Sequence, residues 1–415
     1  MSDDDRAHRW FYDLPGTLAG DLQTGHGLGA AKVSERPQDA ADLVFSCIRR
    51  DHRWWWRVDD RPDYLARQVR LLEMDPTPIV DLLYAVDDPD DDPDNTFDLA
   101  LDVLVALGYA GDEQVVRALR YYVNHGPHWR NVLPAVAGRW PRRLWDDLDG
   151  VALARLGPAH EDGPAPYGRP WTDWAPRHER VAALLRRREA RPQAPARESS
   201  MSTDRLLAVL ADGAEPSSAK RNALRELAFR GSDPRLLDLA GELHGVPGLT
   251  DAVEALGPAA VGHARAWAAA DRLHRLGVTV VAAHGTEHDV PLLIDAWDRL
   301  FRSDDWCGFD IIADGLARFG QGSAEAAGRL RMVIRQTPHS YERTACLRAL
   351  LAIAPARARG PLQHALLDCE PDVRELAVAH APDTAFTRKA LAEIRDDPLA
   401  ARKLRNTAAA RLATL

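Results

Sequence analysis

The chain is poor in the residues that mark several protein classes. It has 4 cysteines in 415 residues, at Cys47, Cys307, Cys346 and Cys369, with no C-x-x-C and no paired spacing. That excludes a disulfide framework and the common zinc-ribbon patterns. Three of the four lie in apolar helical stretches and read as small buried hydrophobes. Aromatic residues make up only 7%, so the core is expected to be built from alanine, leucine and valine, of which alanine and leucine are strong helix formers. No apolar run is long enough to span a membrane. The acidic opening MSDDDRAHRW lacks the apolar centre of a signal peptide, and a cytoplasmic location is expected. Strand-like alternation is nearly missing, and there is no glycine-rich phosphate loop. The best strand candidate, Val278 to Ala282, fits a helix packed on both sides. Lysine is scarce beside arginine, a trait of GC-rich bacterial genomes.

Charge is unevenly placed. The formal net charge is −9, and residues 1–176 hold 19 basic against 31 acidic side chains. An acidic front half disfavours nucleic acid and anionic membranes and suits a basic protein partner.

What is present is a repeated helical spacing. In Glu370 to Pro382, a basic residue is followed three residues on by a small one and four further by an apolar one: Arg374, Ala377, Ala381. The spacing recurs as Arg343, Cys346, Leu350 and as Lys220, Ala223, Leu227, and more weakly as Phe97, Ala100, Leu104. Steps of three and four keep one stripe of a helix facing inward. The basic residue is expected to lay its stem over apolar surface and keep its head in water. Gly111, Gly231 and Gly285 are each followed by a polar turn and an apolar pair. This predicts a left-handed glycine cap, then a second helix opened by Asp or Ser. Second helices are expected from about Asp112, Asp233, Asp289, Ala324 and Pro361, lining a concave face.

These motifs resemble HEAT repeats and, more loosely, the HEAT-like repeats of phycobilisome-lyase relatives, most clearly over residues 200–400. The resemblance implies an all-α solenoid of helix pairs in two arrays. The expected division is an irregular segment 1–36, an acidic helical array 37–190, a linker 191–200 and a second array 201–415. Candidate helices in the first array cover 38–50, 62–73, 77–85, 95–107, 112–124, 129–138 and 141–154, with one more over 171–191.

Candidate sites are few. The acidic run Asp87 to Asp94 fails as a calcium loop, because Asn95 stands where glycine is needed and Leu101 where a bidentate Glu is needed. His284 to His288 matches H-x-x-E-H, but Gly285, Thr286 and Pro291 make it an interhelix turn. No metal and no cofactor is expected. Tryptophan is the outlier, at 12 residues. Trp54, Trp55 and Trp56, flanked by Arg53 and Arg57, have the composition of an interface hot spot. Trp with Asp four residues on, as in Trp306/Asp310, Trp145/Asp149 and Trp267/Asp271, is similar to a pattern of bacterial HEAT-like alkylpurine DNA glycosylases. That likeness implies Trp306, Asp310 and Trp297 around a cationic base, with Arg299 and Arg302 on phosphates. The primary expectation is a non-catalytic scaffold or adaptor, regulatory or immunity-type, that binds another protein and no membrane. The glycosylase is the alternative, and nucleic acid is a partner only under it.

Overall fold

The computed structural model describes residues 12–53, 59–156, 167–189, 201–303 and 306–415, and these are helical throughout with no strand. None of the described helices is long and apolar enough to cross a membrane. Two compact units are present: residues 1–194 with 362–415, and residues 195–361. Residues 362–415 therefore group with the N-terminal helices rather than with the stretch before them. The expected linker, 191–200, lies outside the described residues.

In the first unit the Thr96–Tyr109 helix is central. Ten of its residues are buried, Phe97, Ala100 and Leu104 among them. It packs against Ala41–Arg49, Arg61–Leu71, Thr77–Ala85, Glu113–His125 and Trp129–Arg139. A helix apolar on nearly every face can only sit inside such a ring. Gly111, at φ +99°, turns the chain out of it. The Asp112 side chain then accepts from Val115 N–H at 3.0 Å and caps the next helix.

Three expectations in this unit are corrected. The segment before residue 37 holds two helices, Leu18–Gln23 and Gly27–Glu35. Its glycines serve close approach as much as turning: a Cβ on Gly27 would collide with the His364 carbonyl oxygen. The stretch 141–154 is two 3-10 turns followed by Asp149–Leu156. The described part of the stretch 171–191 breaks into Trp171–Trp174 and Glu179–Glu189, because Pro176 cannot donate to a continuing helix. Much of the tryptophan excess is spent here. Trp129, Trp145, Trp171 and Trp174 are buried, with neighbouring rings 5.5 to 6.5 Å apart.

The second unit has a different order. Helices Ser217–Arg230, Leu249–Glu254, His274–His284, Phe309–Ala317 and Glu342–Ile353 form a row in which each packs on the next. Other helices, such as Val261–Ala268 and Val290–Ser303, pack beside that row. The stripes Ala223/Leu227 and Cys346/Leu350 face inward and are buried. Val278 to Ala282 is helical and enclosed. Gly277 lets it meet Val261–Ala268, since a Cβ there would lie 2.6 Å from Ala264 O and closer still to Ala268 N. Gly315 does the same on the other side, where a Cβ would lie 2.7 Å from the Ala282 Cβ.

Other expected features take a different form. Arg343 and Arg374 are 1% and 4% exposed, so their heads are not in water; Arg374 is within 3.5 Å of Asp397 instead. Gly285 is not left-handed (φ −63°). It is small because a Cβ would approach Val281 O at 2.5 Å and Asp289 Oδ2 at 2.9 Å. Pro361 lies inside Pro355–Ala365 rather than opening a helix.

Gly277→Ala tests the close approach. Alanine is the better helix former by about 1 kcal/mol, yet the variant is expected to lose about 2–3 kcal/mol through backbone displacement. Urea unfolding of the full chain measures this, and a variant as stable as the parent would refute the packing argument.

Candidate binding groove

The row of helices in the second unit carries a groove of two adjoining clefts, about 700 and 250 Å³. Both are lined by His244, Arg272, Arg275, Thr279 and Ile311. The His274–His284 helix supplies one side, the Phe309–Ala317 helix another, and the 244–249 turn stands opposite. Gly245 and Gly248 hold φ of +82° and +93°, a conformation that favours glycine and shapes this turn. The groove therefore runs mainly over helices that precede the glycine turns, not over the second helices expected to line it. Of the second helix Val290–Ser303, only Ala296, Arg299 and Leu300 reach the smaller cleft.

Charge in the groove is set by what is already paired. Arg299 is ion-paired with Asp271. Asp314 is paired with Arg348 at 3.0 Å. Arg318 donates to the carbonyls of Ala282 and Gly285 at 2.7 and 3.0 Å, closing the C-terminus of the His274–His284 helix. Arg272 and Arg275 are exposed and make no ion pair among the described residues. Glu254 is the remaining acid on the lining; burial, then Asp251 beside it, pushes its carboxyl up. A protein acidic overall thus presents two uncommitted guanidiniums in a concave site.

The turn after this helix is closed by an ion pair and a capping box. Arg265 grips both oxygens of Asp289 at 2.7 and 2.9 Å, and Asp289 accepts from Thr286 N–H at 2.8 Å in a capping box. The Arg265 hydrogen bonds hold the Asp289 carboxyl down to about 2. His284 ends the helix, and His288 lies in the turn that follows it.

The sequence-derived residues fall in several places. Arg299 lines the smaller cleft. Arg302 is exposed and donates to its own helix, at Asp298 O. Trp297 is 2% exposed, with its ring edge-on to Phe309 at 4.7 Å. Trp306 is half-buried between Phe301 and Phe309, at 5.6 and 5.8 Å. Trp306 and Asp310 do not share one helix: Gly308, at φ +111°, is the N-cap of Phe309–Ala317, so Trp306 precedes it. Trp145/Asp149 and Trp267/Asp271 are likewise split by a turn. Trp297, Trp306 and Asp310 are not on the groove lining. Trp54, Trp55, Trp56 and Arg57 lie outside the described residues. Arg53 is 3% exposed and is bound to Asp51 at 2.8 Å and Asp102 at 3.3 Å. Arg272, Arg275 and His244 gave no sequence signal, because nothing in their spacing distinguishes a groove arginine from a solvated one.

In the first unit, ligand atoms of Asp59, Cys369 and Glu370 lie within 4.8 Å of one another, and the three residues are buried. Arg61 already takes the cation's place. Its guanidinium binds both Asp59 oxygens at 2.7 to 2.9 Å and donates to His52 O at 2.6 Å and to Gln23 O. A metal would meet this fixed charge, so the residues do not fit one.

No protein-family model matches the chain, and neither does a curated protein or a solved structure.

Burial, then Arg61, pushes the His52 imidazole down to about 4 from 6.5. The folded state thus binds fewer protons than the unfolded state between those values, and stability rises with pH across that window. The expected loss from pH 6.5 to 4 is about 2–3 kcal/mol. His52→Phe should flatten this part of the pH profile in denaturant titrations; an unchanged slope would contradict it.

Proposed function

We propose that the chain is a non-catalytic helical-repeat scaffold of HEAT type that holds another protein through the groove of its second unit. The observation that carries this reading is the pair Arg272 and Arg275, exposed on the groove and without an ion pair among the described residues, while Arg299 and Asp314 beside them are matched. The ordered row of helices from Ser217 to Ile353, with its inward stripes, supports a solenoid, and a solenoid presents an extended surface to a partner.

The partner segment that suits this groove is acidic and extended. Two guanidiniums recognise carboxylates in a fixed planar geometry, and cationic lining speeds the encounter with a segment of opposite sign. A basic partner on the acidic front half is less favoured. Several acids of the Asp87–Asp94 run are engaged locally: Asp88 accepts from Asp90 N–H, Asp92 from Phe97 N–H, and Asp94 pairs with Arg50. For the glycosylase reading, the aromatic side chains it needs are packed against one another, and neither they nor Asp310 are on the groove lining.

Fluorescence anisotropy with a labelled Glu/Asp-rich peptide tests the proposal. Binding should weaken as salt rises. The double variant Arg272→Glu/Arg275→Glu should bind about tenfold or more weakly through charge reversal at exposed positions. Equal affinity for parent and variant would reject the groove. Release of base from alkylated duplex DNA would overturn the non-catalytic reading itself.

A further inference from the structure

The first unit holds a separate cleft of about 480 Å³, lined from the helices Gly27–Glu35, Arg61–Leu71, Pro371–His380 and Ala385–Asp396. Ala30, Leu71, Leu367, Phe386 and Ile394 give it apolar walls. Its polar interior is Arg67, Gln68, Arg374 and Asp397.

The charges there do not balance. Asp397 Oδ2 accepts from Arg67 Nε at 2.7 Å and lies 3.5 Å from Arg374 Nη2, so one carboxylate serves two guanidiniums. The side chains of Arg67, Arg374 and Asp397 are 20%, 5% and 10% exposed. At the rim the signs are matched: Lys389 pairs with Glu393, Asp396 with Arg395, and Glu35 and Arg70 add one charge of each sign to the lining. Burial, then Arg67 beside it, pushes the Arg374 guanidinium down, while Asp397 and Asp63 act the other way. Hydrogen bonding is short as well. Arg67 Nη1, Arg374 Nε and Gln68 Oε1 are buried and have no partner among the described residues. Each such group costs about 1–3 kcal/mol, and more where it is charged. A ligand bringing two acceptors and one negative charge would relieve all but the Gln68 oxygen.

We propose that this cleft binds a small monoanionic carboxylate with an apolar body, its head on Arg67 and Arg374 and its body against Leu71, Leu367 and Phe386. The head is a carboxylate because Arg67 and Arg374 share the single carboxylate of Asp397, which leaves one pairing to be made, whereas a phosphate monoester carries close to two negative charges at neutral pH. A planar carboxylate also matches the guanidinium fork. Gln68 Oε1 accepts from a hydroxyl or amide N–H on the ligand body. The volume is that of a small-molecule site. This site is distinct from the groove, and its proposal does not depend on the scaffold reading.

Calorimetric titration of the full chain with 3-phenylpropanoate tests it. Saturable binding is expected, and 3-phenyllactate, which adds a hydroxyl donor, should bind more tightly. Arg374→Met should weaken binding about tenfold or more, the loss of a charge-assisted pair. Should that variant fail to fold, Ser34→Trp, at an exposed position on the cleft lining, blocks access without touching the charges, and it should reduce binding to the same degree. Uncharged 3-phenylpropanol should not bind. No saturable heat with the parent protein would overturn the proposal. So would parent-like affinity in both variants, equal binding of the alcohol, or tighter binding of inorganic phosphate than of 3-phenylpropanoate.

Discussion

A single buried guanidinium organises the first unit. Arg61 is 2% exposed, and burial works against its charge; the adjoining Asp59 outweighs this and raises its pKa. The same head bonds the carbonyls of Gln23 and His52, so it joins the N-terminal helices, the 51–53 segment and the start of its own helix. Gly25 lies against the Arg61 stem and Cys369, and Cys369 N–H donates to Gly25 O at 3.0 Å. Parts of the chain more than 300 residues apart thus meet around one ion pair. Removing either partner of such a pair strands a buried charge, at a cost of about 3–5 kcal/mol. The cluster is a structural hub, and it shows why acidic residues near a cysteine need not hold a metal.

The second unit depends on close packing instead. Gly277 and Gly315 bring the His274–His284 helix into backbone contact on two sides. Long side chains are kept for its ends and for the groove. Arg318 is spent on capping and Arg299 on Asp271, while Arg272 and Arg275 make no ion pair among the described residues.

The first unit uses arginine in two contrasting ways. Arg61 and Arg53 have their carboxylates beside them in sequence, at Asp59 and Asp51, and those pairs are closed. Arg67 and Arg374 share one distant carboxylate, Asp397. Local pairing gives a structural cation; a shared, long-range partner leaves room for a ligand. Sequence distance is no guarantee of function, but it separates these cases by how completely each charge is met.

Helix content was legible from the sequence because it rests on local physics. Alanine- and leucine-rich segments at steps of three and four, glycine at Gly111 and Gly231, and the Asp112 cap depend on residues only a few positions apart. The interhelix turn at His284 to His288 was readable for the same reason. Two short helices before residue 37 were hidden, because their glycines looked like loop signals when they serve close contact with His364 and Cys369. The Trp/Asp spacing misled because Gly308 starts a helix between its members. What the tertiary structure alone decided was which charges are matched. Arg374 was visible as a repeat position, but its carboxylate lies on another helix, and the head expected in water is buried beside it. Arg272 and Arg275 became candidates only when their neighbours were seen to be paired. Pairing between distant elements is a property of packing, and no local spacing encodes it.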